Sequence, residues 1–370
     1  MKDYDVIVCP GVGTFPNGSF NGRLLDYYSY VLYKLSQIIP KDNIEIHMDI
    51  THGLNYMPAL TYKAIKELLG ILAITNKAKF YVYNSDPYSK GGKKELYIHT
   101  VENREILPSS STDAIDDKKL IDDSNLEGKE RGEIRKKLNT NKTIKELKNK
   151  KQNINAFLSS FVYALPLIYS TFYVEDWEIK DIIDEILSIY LSNIDVGLEN
   201  KTIKRKIGLD VGFDALVKAY FTAKVCKVDE FIKDELSLGE ITKMGKILFR
   251  NNNRFLKSEI DNSICRILIN NDTGGQWILL REFRKDLSDE FNIRNFLAHA
   301  GFEKNLVEIK AHERGTNKNC PKDKSYLRYS PNYIKEKNGV KKLIYKRESN
   351  NEEINVLEKL EEAFINEFNK

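Results

Sequence analysis

Cysteine is scarce in this chain and poorly placed for joint chemistry. The four present, Cys9, Cys226, Cys265 and Cys320, show neither a C-x-x-C pair nor Cys/His ligand spacing. That argues against a structural zinc site and against a disulfide framework. Phosphate-loop motifs are missing as well. Gly11-Val12-Gly13 needs glycine at position 16 to complete a dinucleotide fingerprint, and Pro16 stands there. No Walker loop occurs, which argues against an NTPase. No carboxylate cluster has two-metal spacing, so no metal is expected. The chain does not open with a basic stretch followed by an apolar run, which makes a reducing cytoplasm the expected compartment. The net charge of +4 is too small to announce nucleic-acid binding by itself. One long stretch, Gln152 to Val174, lacks charge altogether. It is long enough to cross a bilayer, but Asn153, Asn155, Ser159, Ser160, Ser170 and Thr171 are costly in hydrocarbon. A buried helix interrupted at Pro166, with no membrane partner, is the expectation.

What remains is an ordinary globular balance, 41% hydrophobic and 30% charged over 370 residues, enough for two domains. Residues 1 to about 107 alternate strand and helix patterns. Tyr4–Cys9, Ile44–Ile50, Lys79–Asn84 and Glu95–Val101 read as strands, the last two as an antiparallel edge hairpin. Leu24–Ile39 and Met57–Ala73 carry apolar residues at helical spacing. This order predicts an α/β doubly wound, mainly parallel sheet.

Residues 108–151 are charge-rich, with Arg135-Lys136-Lys137 and Lys142–Lys151, and read as a charged linker or an RNA-contacting arm. From 152 to the C-terminus a mainly α-helical domain is expected, with helices at Asp176–Ile194, Val211–Val225, Asp229–Leu236, Glu240–Phe249 and Trp277–Phe296. A short β insertion at about 305–346 follows, from Leu306–Lys310, Ser325–Tyr329 and Lys342–Lys346. An amphipathic helix at Asn351–Asn369, capped by Asn351, closes the chain.

Two loops leave the carboxyl ends of the expected strands, where ligands of open α/β sheets bind. In the first, Gly11, Val12, Gly13 and Thr14 can present backbone amides to phosphate. In the second, Asp49-Ile50-Thr51-His52-Gly53-Leu54-Asn55 runs from a strand into a helix. Thr51, His52 and Asn55 add side-chain donors there, and Gly53 allows close approach. The plain alternative is a polar helix cap with one satisfied histidine.

The stretch DITHGLNYMP resembles the signature loop of CARF domains, sensor modules of type III CRISPR accessory proteins. The resemblance covers residues 1 to about 105. It implies a dimer that binds a cyclic oligoadenylate across its two-fold axis, through Gly11–Thr14, Thr51, His52, Gly53 and Asn55. Family members often carry a further strand–helix unit ahead of the equivalent of Tyr4, so the start is either truncated or minimal.

Arg294-Asn295-Phe296-Leu297-Ala298-His299 forms an R-x4-H arrangement near the end of the helical domain. Histidine is suited to proton transfer near neutral pH, and a guanidinium can hold a scissile phosphate in a bidentate clamp. On a helix Asn295 and His299 share a face, while Arg294 lies about 140° round from His299. One protomer therefore converges poorly on a single phosphate, and two helices packed about a two-fold can bring both Arg–His pairs together. The alternative is that Arg294 and His299 merely cap helix-end carbonyls before Gly301.

Downstream of a CARF-like loop, this arrangement resembles that of CARF–HEPN ribonucleases. The resemblance implies an endoribonuclease acting on single-stranded RNA without metal. His299 would be its acid or base, Arg294 its phosphate clamp and Asn295 an orienting donor. A homodimer or higher oligomer and activation by cyclic oligoadenylate, most often cyclic tetra-adenylate, come with that family. A nucleotide-responsive regulator that binds nucleic acid without cutting it, and a ring nuclease acting on its own ligand through His52 or Thr51, are the competing readings.

Overall fold

The computed structural model describes residues 4–87, 95–284, 290–313, 315, 320–347 and 351–368. It divides into two compact units interleaved in sequence. The first comprises Met1–Ser111, Ile115–Lys148 and Asp176–Val225, and the second Thr112–Ala114, Asn149–Glu175 and Cys226–Lys370.

The first unit opens with a hairpin, β1 (Gly13–Phe15) and β2 (Gly18–Asn21). A three-stranded sheet follows: β3 (Ile44–Asp49) lies parallel to β4 (Ala78–Ser85), which is antiparallel to β5 (Ile98–Glu105). The edge hairpin expected from the sequence is thus present. Helix α1 (Leu25–Ile38) packs on α2 (Tyr56–Leu72), the crossover between β3 and β4. Apolar spacing explains the contact. Tyr28, Val31 and Leu32 of α1 are buried, as are Ala64, Ile65, Leu68 and Leu72 of α2, while Ala78, Phe80 and Val82 form the inward face of β4.

Residues 176–225, read in the sequence as part of the second domain, belong to this unit. Helices α3 (Asp176–Leu191) and α4 (Val211–Val225) pack together, and α4 packs on α1 and α2. Between them the strands β6 (Ile194–Gly197) and β7 (Thr202–Arg205) form a hairpin, and β7 adds in parallel to β2. The segment 108–151 is not bare linker either. It contains the helix Gly128–Thr140 and the start of Lys142–Tyr163, with Ile134, Ile144 and Leu147 buried.

A buried ion pair ties these pieces together. Arg205 Nε donates to Asp26 Oδ2 at 3.1 Å, with the two side chains 3% and 0% exposed. The second carboxylate oxygen accepts from Leu209 N at 3.0 Å, and Arg205 Nη1 donates to Gly11 O at 2.8 Å. A side chain at Gly22 would meet the Arg205 guanidinium at 2.5 Å, so only glycine fits there.

The same contacts explain why Tyr4–Cys9 is not the expected strand. The carbonyl of Gly11 is held by Arg205, and the chain turns at once into β1 and β2. Tyr4, Val6 and Val8 are left 79%, 73% and 82% exposed, without strand pairing. Apolar alternation alone names no pairing partner.

The second unit holds a four-stranded antiparallel sheet in the order β8-β11-β10-β9: β8 (Glu235–Ser237), β9 (Ile278–Leu279), β10 (Val307–Ala311) and β11 (Ser325–Tyr329). A smaller sheet contains β12 (Ile334–Lys337), β13 (Val340–Lys346) and β14 (Glu353–Asn355). Around them lie α5 (Leu238–Ile247), α6 (Asn253–Glu259), α7 (Cys265–Asn270), α8 (Ile293–Ala298) and α9 (Val356–Phe368). The insertion strands thus form where the sequence placed them.

Four expectations fail here. Asp229–Leu236 is a 3-10 turn followed by β8, because the Ser237–Glu240 capping box starts the helix at Leu238. Trp277–Phe296 is not one helix. It contains β9, a 3-10 turn at Leu280–Phe283 and α8, and residues 285–289 lie outside the described residues. Cys265 and Cys320 form a disulfide with Cα atoms 5.5 Å apart, although nothing in their spacing suggested pairing. The closing helix starts at Val356 rather than beside Asn351, with β14 before it.

Gln152–Val174 is interrupted as expected. The helix ends at Tyr163, Ala164 has φ +52°, and Pro166 opens the short helix Pro166–Thr171. Several of its polar groups are satisfied: Asn155 Nδ2 donates to Glu361 Oε1, and Ser159 and Ser160 to carbonyls three residues back. Among the described residues no helix is long and apolar enough to cross a membrane.

Replacing Arg205 by methionine strands the Asp26 carboxylate in the interior and should destabilise the first unit by about 3–5 kcal/mol. Adding Asp26→Asn should recover part of that loss. Urea unfolding curves of the single and double variants check this, and equal midpoints for parent and Arg205→Met would contradict it.

Candidate active site and ligand loop

Helix α8 is short and held at both ends. Asn292 Oδ1 accepts from Arg294 N at 2.8 Å and Asn295 N at 3.4 Å, and Phe296 is fully buried on the inner side. Arg294 and Asn295 consequently face outward and are exposed. The helix ends at His299, where Ala300 and Gly301 take φ values of +53° and +77°. Gly301 N closes the end by donating to Phe296 O at 2.8 Å. A Cβ at Gly301 would lie 3.1 Å from the Tyr329 hydroxyl, so backbone freedom and space both call for glycine.

The backbone thus satisfies the helix end, and the His299 side chain is not a cap. Its Nδ1 lies 3.0 Å from Glu259 Oε2. The imidazole is 43% exposed while the carboxylate is 18% exposed. Glu259 closes α6, and a π-helical turn, Ile260–Ile264, follows at once. Such turns insert one extra residue and re-aim side chains, often at functional sites. Further contacts fix this turn: Lys322 donates to Asp261 at 2.6 Å, Arg284 donates to Ser263, and Cys265 bonds to Cys320.

With Nδ1 turned to the Glu259 carboxylate, Nε2 is the ring nitrogen left open, an arrangement able to serve acid–base chemistry. Arg294 makes no side-chain hydrogen bond or ion pair among the described residues, and no hydrogen bond links it to His299. Its cation is free for an external anion. Among the described residues no group of three or more His, Cys, Asp or Glu side chains could hold a metal ion.

Glu303 lies just beyond the helix end, 5% exposed. Burial pushes its carboxyl up to about 7, against the hydrogen bonds from Asn305 N and Nδ2 at 2.7 and 3.0 Å.

In the first unit, the two expected loops meet. Val12 N donates to Tyr56 Oη at 3.0 Å, and Tyr56 packs edge-on against Tyr27. Gly13 and Thr14 enter β1, where Ser19 Oγ donates to Thr14 Oγ1 at 3.3 Å. Thr51 is turned inward. Its N and Oγ1 both donate to Asp49 Oδ1, at 2.8 and 2.5 Å, and Ser85 N donates to Thr51 Oγ1 at 2.9 Å. These bonds to Thr51 hold the Asp49 carboxyl below its usual range. Thr51 therefore ties the ends of β3 and β4 together. His52, Gly53 and Asn55 are exposed, Gly53 with φ +126°, and Asn55 precedes α2 without capping it through its side chain.

Tyr56, Arg205 and Glu259 were not singled out from the sequence. Arg205 and Glu259 act on partners 179 and 40 positions away, and no local pattern marks them.

A pH test follows from Glu303. Its folded-state value lies above the unfolded one, so the stabilisation is complete below about pH 4.5 and is lost as pH rises through about 7. Glu303→Gln should remove that part of the slope. Urea midpoints of parent and variant at pH 5 and pH 8 measure it, and parallel pH profiles would rule the assignment out.

Comparison with known proteins agrees with both halves. Residues 1–87 match the family model "CRISPR system endoribonuclease Csx1, CARF domain", and residues 249–330 match its HEPN-domain counterpart. A CRISPR system endoribonuclease Csx1 from Methanocaldococcus jannaschii is 46% identical over 390 residues, an alignment that covers 99% of this chain and 82% of that protein. With an α/β CARF unit, a HEPN unit and a relative this similar over almost the whole of this chain, the chain belongs to the Csx1 family of CRISPR system endoribonucleases.

Proposed function

We propose that the protein cuts single-stranded RNA without metal at a site built from His299, Arg294 and Asn295, and that a cyclic oligoadenylate held by its CARF unit switches this activity on. The observation that carries the reading is the contact between the open His299 imidazole and the shielded Glu259 carboxylate.

The chemistry needs a base to take the proton from the RNA 2′-hydroxyl. The 2′-oxygen then attacks phosphorus, the bond from phosphorus to the 5′-oxygen breaks, and an acid protonates that leaving oxygen. A 2′,3′-cyclic phosphate and a 5′-hydroxyl result. One imidazole serves either proton step, and His299 of the partner subunit serves the other when two protomers pair. Arg294 neutralises the charge that grows on the phosphate, and Asn295 orients it. A homodimer is part of this reading, since Arg294 faces outward and shares no hydrogen bond with its own His299.

On the sensor side, His52, Gly53 and Asn55 stand open to receive the activator, with Gly11 and Val12 beside them. Thr51 supports the loop through Asp49, and Thr14 belongs to the hairpin. A ring of four adenylates is the activator expected of this family. A cytoplasmic location is part of the same reading.

A fluorogenic RNA assay in EDTA, with cyclic tri-, tetra- and hexa-adenylate, tests it. His299→Ala and Arg294→Ala should each slow cleavage by about 10²–10⁴-fold. Glu259→Gln should slow it about tenfold and displace the pH–rate profile, the signature of an imidazole that has lost its orienting carboxylate. Asn55→Ala should raise the activator concentration needed for half-maximal rate by about tenfold. Cleavage that requires magnesium, or that survives His299→Ala, overturns the mechanism.

A further inference from the structure

The four-stranded sheet of the second unit has two unlike faces. Val307, Ile309 and Ala311 of β10 and Leu327 and Tyr329 of β11 are buried on one. The period of two puts Glu308, Lys310, Tyr326 and Arg328 on the other, half-buried. Register sets Lys310 opposite Tyr326, and Glu308 opposite Arg328. Trp277, the residue before β9, joins the row. The turn that delivers it uses positive φ at Gly274 and Gly275, and Thr273 Oγ1 clips that turn to β10 through Ala311 N and O, both at 2.9 Å.

The result is an alternation of rings and cations. Lys310 Nζ lies 4.8 Å from the Trp277 ring centroid and 5.6 Å from that of Tyr326. The Arg328 guanidinium lies 4.1 Å from the Trp277 centroid, and exposed His312 meets Tyr326 edge-on at 5.8 Å. Glu308 is occupied by Arg328 and Ser330, at 2.8 and 2.7 Å. Among the described residues Lys310 meets no carboxylate.

A packed core has no use for this arrangement, because it leaves a cation without counter-charge between two rings at the surface. A polyanion that carries flat bases does: phosphates offset Lys310, and bases stack on ring faces. We propose that this sheet face is a docking platform for the single-stranded RNA substrate, with Tyr326 and Trp277 as stacking surfaces and Lys310 as phosphate contact. The proposal rests on the RNA-cutting reading above and says where the strand lies on its way to His299. Strand β10 begins eight positions after that histidine, within the same unit.

The test is binding, so that it does not depend on cleavage. The full-length protein carries His299→Ala to prevent cutting and Trp177→Phe to leave Trp277 as the remaining one of its two tryptophans. A 20-nucleotide uridine-rich RNA is titrated while tryptophan quenching and fluorescence anisotropy are followed. Saturable quenching is expected. Lys310→Ala and Tyr326→Leu should each weaken binding at least about fivefold, and Lys310→Arg should bind like the parent. Lys310→Ala should also flatten the salt dependence by about 0.7. Absent quenching, or Lys310→Ala and Tyr326→Leu proteins that bind like the parent, overturns the platform even when His299→Ala has abolished cleavage. Weakened binding in a protein that still cuts RNA after His299→Ala keeps the platform and rejects the catalytic assignment instead. Preference for another protein over RNA, read as displacement by polyglutamate but not by RNA, also overturns it.

Discussion

The guanidinium of Arg205 and the carboxylate of Asp26 are both out of water, and neither could remain there alone. Isolating either charge in the interior costs several kcal/mol, so the two segments that carry them must fold against each other or not at all. Their separation is 179 positions. That single requirement explains the interleaving of the chain: residues 176–225 return to the N-terminal unit because Arg205 has to reach Asp26 and the carbonyl of Gly11. It also positions the ligand loop. With Gly11 held by Arg205 and Val12 by Tyr56, the backbone of this loop is fixed by the fold itself.

Regular elements were legible where a local period was long and its partners were near. α4 spans the residues its apolar spacing marks, and β11 likewise, α4 because it is buried almost all round and β11 because it buries one alternating face. The failures share a cause. Tyr4–Cys9 alternates well but has no strand to pair with, and Trp277–Phe296 has helical spacing whose backbone is claimed by β9 and by the cap at Asn292. The disulfide escaped notice because Cys265 and Cys320 lie 55 positions apart and meet only through the π-helical turn and the loop that reaches Lys322.

The candidate site divides the same way. Arg294, Asn295 and His299 sit within six residues, so their spacing can be read directly. Glu259 could not be found from that motif, since its part is to orient an imidazole 40 positions away. In the first unit the sequence marked Thr51, His52 and Asn55 alike as donors, whereas the structure makes Thr51 a strut and leaves His52 and Asn55 exposed. Placing an endoribonuclease in the Csx1 family fixes the class of reaction. The proposed roles add to that class what the geometry offers, a carboxylate beside the His299 imidazole and an exposed Arg294 guanidinium.

The most direct measurement is the chemical identity of the new RNA ends. Phosphorus NMR of products formed by the full-length protein in EDTA, with cyclic tetra-adenylate present, is expected to show a 2′,3′-cyclic phosphate resonance, with a 2′-deoxy substitution at the cut site blocking cleavage. Products ending in a 3′-hydroxyl and a 5′-phosphate, or unimpaired cleavage of the deoxy-substituted strand, would contradict attack by the RNA's own hydroxyl and with it the role given to His299.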